Sequence, residues 1–207
     1  VHYFIVQMGI FVDRDIGTAI VNMYGKCGSL REAYMIFLSV IDKDIIFWNV
    51  MLAAYAQQGY GKQALQLYRS MEEDKLIPNA FTFISLINAC SHAGLVYKGF
   101  MYFIAMSKYY GIIPTLEHYT CMIDLLGRSG HVDDAVKIIQ RMPFQPGVIV
   151  CHALLGSCRK WGTVEFARQA LKHIVQLDEK DIASYACLSN IYIDASRKQV
   201  YKDGFII

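Results

Sequence analysis

Apolar residues recur along the chain at the spacing of one helix face, and the whole pattern then repeats. Trp48, Met51, Leu52 and Tyr55 form one such set, Phe83, Leu86, Ile87 and Cys90 a second, and Tyr119, Met122, Ile123 and Leu126 a third. Steps of three, one and three residues keep side chains on one side of an α-helix. A glycine follows each set: Gly28, Gly59, Gly94, Gly130 and Gly162, spaced by 31, 35, 36 and 32 residues. Five residues after each glycine stands a small residue (Ala33, Ala64, Gly99, Ala135, Ala167), and four further on a bulky one (Phe37, Tyr68, Phe103, Ile139, Leu171). The pattern predicts a first helix (A) that ends at the glycine in a left-handed cap. A second helix (B) follows, with its small residue letting it pack closely on the first.

With the glycine at position 15, the units are 14–44, 45–79, 80–115, 116–147 and 148–181, and a sixth begins at Ile182. Pro78, Pro114 and Pro146 fall near unit ends and are expected to stop the B helices. A hairpin of this size cannot bury its apolar face alone. Stacked copies can, so the expected fold is all-α, a right-handed α-solenoid of helix-turn-helix repeats forming a tetratricopeptide-like superhelix.

Positions 2, 5, 9 and 13 of each A helix form a second stripe, opposite the apolar one. It reads Asp15, Thr18, Asn22 and Lys26 in the first unit, Ile46, Asn49, Ala53 and Gln57 in the second, and Glu117, Thr120, Asp124 and Arg128 in the fourth. Position 13 repeats a cationic or hydrogen-bonding group: Lys26, Gln57, His92, Arg128, Lys160. Two readings stand. Cations in the last turn of a helix complement its dipole, and a row of them suits a regularly spaced polyanion such as a phosphate backbone.

Composition changes this picture little. A formal charge of +2 and 55% apolar residues exclude few functions, and no apolar run is long enough to span a membrane. Six irregularly spaced Cys and nine Met fit a reducing compartment. The opening "VHYFIVQMGIFVD" reads as the tail of a helix, so residues 1–13 are expected to be the C-terminal helix of a truncated repeat, and the chain a fragment without its targeting segment.

The segments "AIVNMYGKCGSLREA", "IIFWNVMLAAYAQQGYGKQALQLY", "PNAFTFISLINACSHAGLV" and "YGIIPTLEHYTCMIDLLGRSGHVDDA" resemble the pentatricopeptide repeat family of plant organelles. The variable unit length resembles the subclass that alternates standard, long and short repeats. "VEFARQALKHIVQLDEKDIASYACLSNIY" resembles its extension motif. The resemblance implies four repeats over 14–147, extension repeats over 148–195 with the second incomplete, and a divergent tail over 196–207. It also implies sequence-selective binding of single-stranded RNA, one base per repeat, in a mitochondrion or chloroplast, in the service of C-to-U editing or another processing step. By that resemblance the base is read by position 5 and the last residue of the unit. Thr18 with Asp44 is then associated with guanine and Asn49 with Asn79 with pyrimidines. Ile84 with Thr115 fits no code, and Thr120, paired only with Gly147, leans towards purine. Lys26, Arg128 and Lys160 are the expected backbone contacts, and segment 148–195 the expected dock for editing-complex proteins.

Many relatives of this kind end in a deaminase-like domain whose zinc needs an H-x-E…P-C-x-x-C pattern. No H-x-E or C-x-x-C occurs in the chain; Cys90 and Cys158 fall at position 11, Cys151 at position 4, and Cys121 and Cys187 at position 6, and small apolar packing is their expected role. No catalytic residue, metal or cofactor is expected, and the chain reads as a non-enzyme. Past "LSNIYIDAS", Ser196 stands where a turn glycine is due, which would leave Tyr185, Leu188 and Tyr192 poorly covered. Two other readings remain: a protein-binding scaffold of tetratricopeptide type, or a truncated, inactive product.

Overall fold

A computed structural model of the chain describes residues 13–177 and 180–203. The helix expected over residues 1–13 lies outside the described residues except for Asp13, as do the last four residues of the tail. The described residues form helices and connecting turns and contain no strand. The five A helices with a B partner are α1 (Arg14–Lys26), α3 (Ile45–Gln57), α5 (Ala80–Ala93), α7 (Leu116–Arg128) and α9 (Val148–Trp161). Their B helices are α2 (Leu30–Ser39), α4 (Gly61–Glu73), α6 (Val96–Lys108), α8 (Val132–Arg141) and α10 (Val164–Leu177), and α11 (Ile182–Asp203) closes the series. The chain divides into two compact units, one ending at Pro114 and one starting at Thr115.

Each A-to-B turn pivots on its glycine, with φ between 66° and 86° at Gly28, Gly59, Gly94, Gly130 and Gly162. A β-carbon is disfavoured there, which explains the glycine register. The prolines act differently from the expectation. Helix α4 ends at Glu73 and α6 at Lys108, several residues before Pro78 and Pro114. Lys75 (φ 59°) and Gly111 (φ 64°), both left-handed, lie just past those ends. The prolines instead directly precede Asn79 and Thr115, the N-caps of the next A helices, and Pro146 directly precedes the N-cap Gly147.

In the N-terminal unit α1 packs on α3 and α3 on α5, each A helix also touching its own B helix. In the C-terminal unit α7 packs on α9 and α9 on α11 in the same way. The apolar stripe fills the core: Val21, Met51, Leu52, Leu86, Ile87, Met122 and Ile123 are fully buried, as are Ala33, Ala135 and Ala167 of the B helices. Stacking A on A also buries a flank that the 4-7-8-11 pattern does not include. A β-carbon on Gly25 would lie 2.6 Å from the Ala54 β-carbon, and one on Gly127 would lie 2.5 Å from that of Ser157. Both contacts join position 12 of one A helix to position 10 of the next.

Position 14 has a related use. Gln58 Nε2 donates to the Gly25 carbonyl (2.9 Å) and Trp161 Nε1 to the Gly127 carbonyl (2.7 Å). Each satisfies a carbonyl near the C-terminus of the preceding A helix, where helical partners run out.

At the C-terminal end, α11 runs through Ser196 without the turn of the earlier hairpins. Ser184 and Ile191 are buried, while Tyr185 and Tyr192 are exposed and Leu188 is half-buried. Among the described residues no helix is long and apolar enough to cross a membrane.

Candidate nucleic-acid interface

The stripe at positions 2, 5, 9 and 13 stays largely outside the packed core, and in the second unit the last residue comes to lie beside it. The reason is local. Asp44, Asn79, Thr115 and Gly147 are the N-cap residues of α3, α5, α7 and α9. An N-cap side chain that accepts from the amide three residues on is held in a fixed rotamer. For Asn79, stacking then brings it beside position 5 of the preceding A helix.

The second unit shows the full arrangement. Asn79 Oδ1 accepts from the Thr82 amide (3.2 Å), and Thr82 Oγ1 accepts from the Asn79 amide (3.1 Å), a reciprocal capping box. That requirement orients the Asn79 side-chain amide. Asn49 Nδ2 then donates to Asn79 Oδ1 (3.0 Å), and Thr82 Oγ1 donates to Asn49 Oδ1 (2.8 Å). Asn79 Oδ1 accepts from two N–H groups and Asn49 Oδ1 from one hydroxyl, and each amide nitrogen keeps a hydrogen to donate, on Asn79 Nδ2 and Asn49 Nδ2. Asn49 is 9% exposed and lines a groove of about 730 Å³. Ile46 (61% exposed) and Phe81 (69%), the position-2 residues of this unit and the next, also line it, with Asn22 and Lys26.

The first unit offers the opposite polarity. Thr18 Oγ1 donates to the Arg14 carbonyl (2.8 Å), which leaves its lone pairs as acceptors. Asp44 Oδ1 accepts from the Phe47 amide (2.9 Å), and its Oδ2 lies 3.3 Å from Arg14 Nε. Arg14 thus links the two expected residues, and nothing in the helix periodicity singles it out. Thr120 Oγ1 likewise donates to the Leu116 carbonyl (2.8 Å), but Gly147 supplies no side chain beside it.

The three expected cations differ. Lys26 is exposed in the last turn of α1. Arg128 Nε meets Asp124 Oδ2 at 2.7 Å, so part of its charge is neutralised. Lys160 Nζ donates to the Arg128 carbonyl (2.8 Å) and lies 5.1 Å from the centroid of the Trp161 ring. Its dipole partner is therefore the neighbouring helix.

Four of the thiols are withdrawn from reaction by burial. Cys90, Cys151 and Cys158 are buried, and burial raises all three, Cys90 to about 11. Burial raises Cys121 to about 12. All four stay protonated at neutral pH, the unreactive form. Among the described residues no three His, Cys, Asp or Glu side chains gather in a group that could hold a metal ion.

A profile of the PPR repeat family matches residues 43–92, and the PPR repeat profile matches residues 18–45, 81–109 and 117–144. A pentatricopeptide repeat-containing protein of Arabidopsis thaliana is 42% identical over 177 residues, covering 86% of this chain and 30% of the relative. A chloroplastic member from the same plant is 40% identical over 195 residues, covering 94% of this chain and 30% of its own length. The chain thus spans about a third of the length of these relatives. In three dimensions it resembles the pentatricopeptide repeat protein PPR10, solved in complex with an 18-nt psaJ RNA element, with a TM-score of 0.80 and 21% identity over 91% of this chain and 29% of that one. It also resembles the PPR domain of Arabidopsis thaliana protein-only RNase P 1, solved with tRNA, with a TM-score of 0.63 and 18% identity over 84% of this chain and 95% of that one. With repeat profiles matching 18–109 and 117–144 and the hairpin register running beyond them, the chain belongs to the pentatricopeptide repeat family.

Proposed function

We propose that the chain binds single-stranded RNA sequence-selectively through the exposed stripe of its A helices, as the recognition part of a longer organellar RNA-processing protein. The observation that carries this reading is the Asn49–Asn79 pair. Two side chains 30 residues apart are held 3.0 Å from each other beside a groove flanked by apolar Ile46 and Phe81. Apolar side chains to either side suit the faces of a base, and fixed donors suit its edge. The donors left on Asn49 and Asn79 match the ring acceptors of a pyrimidine. The acceptors of Thr18 and Asp44 match the N1–H and N2 amino group of guanine. Thr120 offers an acceptor to a purine, and Lys26, Arg128 and Lys160 take phosphates.

The relatives support the organellar setting, since several are named as mitochondrial or chloroplastic. The structural neighbours solved with RNA support RNA as the partner. C-to-U editing is the processing step we favour, with the chemistry performed by another domain or protein.

The test is titration of labelled single-stranded RNA from a randomised pool, read by anisotropy and sequencing. Three cations give a log–log salt slope of about −2. Thr18→Asn replaces a hydroxyl acceptor by an amide and should move the preference at one nucleotide from purine to pyrimidine. Binding that ignored both salt and sequence would overturn the proposal, and an unchanged profile for Thr18→Asn would remove the guanine assignment.

A further inference from the structure

The B helices of the N-terminal unit border a groove that the A-helix stripe does not use. It lies between α4 and α6, has a volume of about 340 Å³, and is lined by four tyrosines, Tyr68, Tyr102, Tyr109 and Tyr110. The repeat does not require this set. Tyr102 stands at position 23, where the other four hairpins carry Ile36, Leu67, Ile138 and Ala170.

Three of the rings are held in place by neighbours. Tyr68 is 5% exposed, and its ring meets that of Tyr102 at 5.7 Å and 83°. Tyr110 packs edge-on against Phe83, with centroids 5.2 Å apart. The Tyr68 hydroxyl is hydrogen-bonded with Tyr110 and Glu72, which fixes the Glu72 carboxylate beside the tyrosines. Tyr109 is 69% exposed, and its face already holds an ammonium group: Lys108 Nζ lies 5.2 Å from the ring centroid. Arg69 also lines the groove, one turn from Glu72 on α4. Both charges reach the Tyr102 hydroxyl: burial first, then Cys90 and Glu72, push it up to about 12, and Arg69 opposes them.

Shape and charge together narrow the ligand. Perpendicular rings form a corner, not the parallel-walled slot that a planar base needs. A corner of aromatic rings suits a near-spherical cation. A bare ammonium gives up strongly held water on entry and needs acceptors in return, and Glu72 is already engaged by Tyr68. A trimethylammonium group carries its charge behind methyl groups, and Met101 and Ala105, the remaining lining residues, offer it apolar contact. Arg69 supplies a partner for an anionic group on the same ligand.

We propose that the groove between α4 and α6 binds a zwitterionic quaternary ammonium of the choline phosphate type, with the trimethylammonium in the tyrosine corner beside Glu72 and the phosphate on Arg69. The same chemistry occurs free in solution and as the headgroup of a phosphatidylcholine bilayer, and the experiment separates the two sources.

Saturation-transfer NMR of choline phosphate with the whole chain reads binding at the ligand methyl signal, and titration gives the affinity. Each variant is checked for helicity and unfolding midpoint by circular dichroism. Tyr102→Leu should weaken binding by about two- to fivefold, the worth of one exposed cation–π contact. Tyr102→Phe keeps the ring and should bind as wild type does. Glu72→Gln should weaken choline phosphate and tetramethylammonium alike, by about two- to fivefold, and Arg69→Gln should weaken choline phosphate alone by a similar factor. The tert-butyl isostere of choline phosphate, with carbon in place of the charged nitrogen, should bind about tenfold more weakly, because several ring contacts lose their cation. Flotation with phosphatidylcholine vesicles that free choline phosphate competes away would assign the lipid headgroup as the source. Binding of choline phosphate without flotation would assign the free ligand, and either result supports the site. No saturation transfer and no flotation with wild type would overturn the proposal. So would an isostere that binds as tightly as choline phosphate, or a folded Tyr102→Leu chain that binds as wild type does.

Discussion

Replacing Thr82 by Val tests the network on which base recognition is argued to rest. Valine keeps the shape of the side chain and removes its oxygen. Thr82 is fully buried, donates to Asn49 Oδ1 at 2.8 Å and accepts from the Asn79 amide at 3.1 Å. Asn49 is 9% exposed, so water cannot readily replace the donor it loses. Stranding a buried acceptor costs about 1–3 kcal/mol, and losing half of a capping box adds about 0.5–1 kcal/mol. The expected destabilisation is about 2–3 kcal/mol, a large share of the roughly 5–15 kcal/mol that holds a typical domain folded. Urea unfolding followed by helical circular dichroism would read it as a lower midpoint at an unchanged slope. Thr82→Ser keeps the oxygen and should recover most of the loss. The same variants should rank alike in discrimination at one RNA position, because Asn49 Oδ1 loses its donor in Thr82→Val alone. A Thr82→Val chain within about 0.5 kcal/mol of wild type, or a Thr82→Ser chain equally damaged, would refute the reasoning.

Three further outcomes are expected. Gly127→Ala places a β-carbon 1.7 Å from Ser157 Oγ and should cost about 1–3 kcal/mol by overpacking, with Ser157→Gly in the same chain restoring most of it. Under native conditions at neutral pH, a disulfide thiol reagent should modify exposed Cys27, while buried Cys90, Cys151 and Cys158 should react only after denaturant is added. Asp181 is held below the ordinary carboxylate range by the Ser184 hydroxyl first and His152 second. A lowered value contributes stability that is present above about pH 4 and lost as pH falls through the native value. Acid titration of helicity below pH 4 should therefore be shallower in Asp181→Asn than in wild type.

The hairpins and their turns were legible because the signals are local. A glycine at φ near 76°, as at Gly28, and an apolar stripe at helical spacing are properties of one short segment. The same locality explains the misreading of the prolines. Their spacing marks a boundary, but only the ends of α4 and α6 show that Pro78 and Pro114 belong to the next helix.

Position 5 could be found by register alone, and His152 follows from the same rule. The roles of Thr82, Arg14 and Ser184 could not be reached that way. Each matters through a side chain in another hairpin, about 30 residues distant.

The amino-acid sequence by itself determined the repeat, the helix–turn–helix unit and the family, since these follow from backbone preference and from which residues avoid water. Only the tertiary structure decided which polar atoms meet. The Asn49–Asn79–Thr82 and His152–Asp181–Ser184 networks exist because successive A helices pack side by side until a cap side chain reaches the neighbouring stripe. A hydrogen bond is won or lost over a few tenths of an ångström. Helix packing sets that distance, and no periodicity along the chain encodes it.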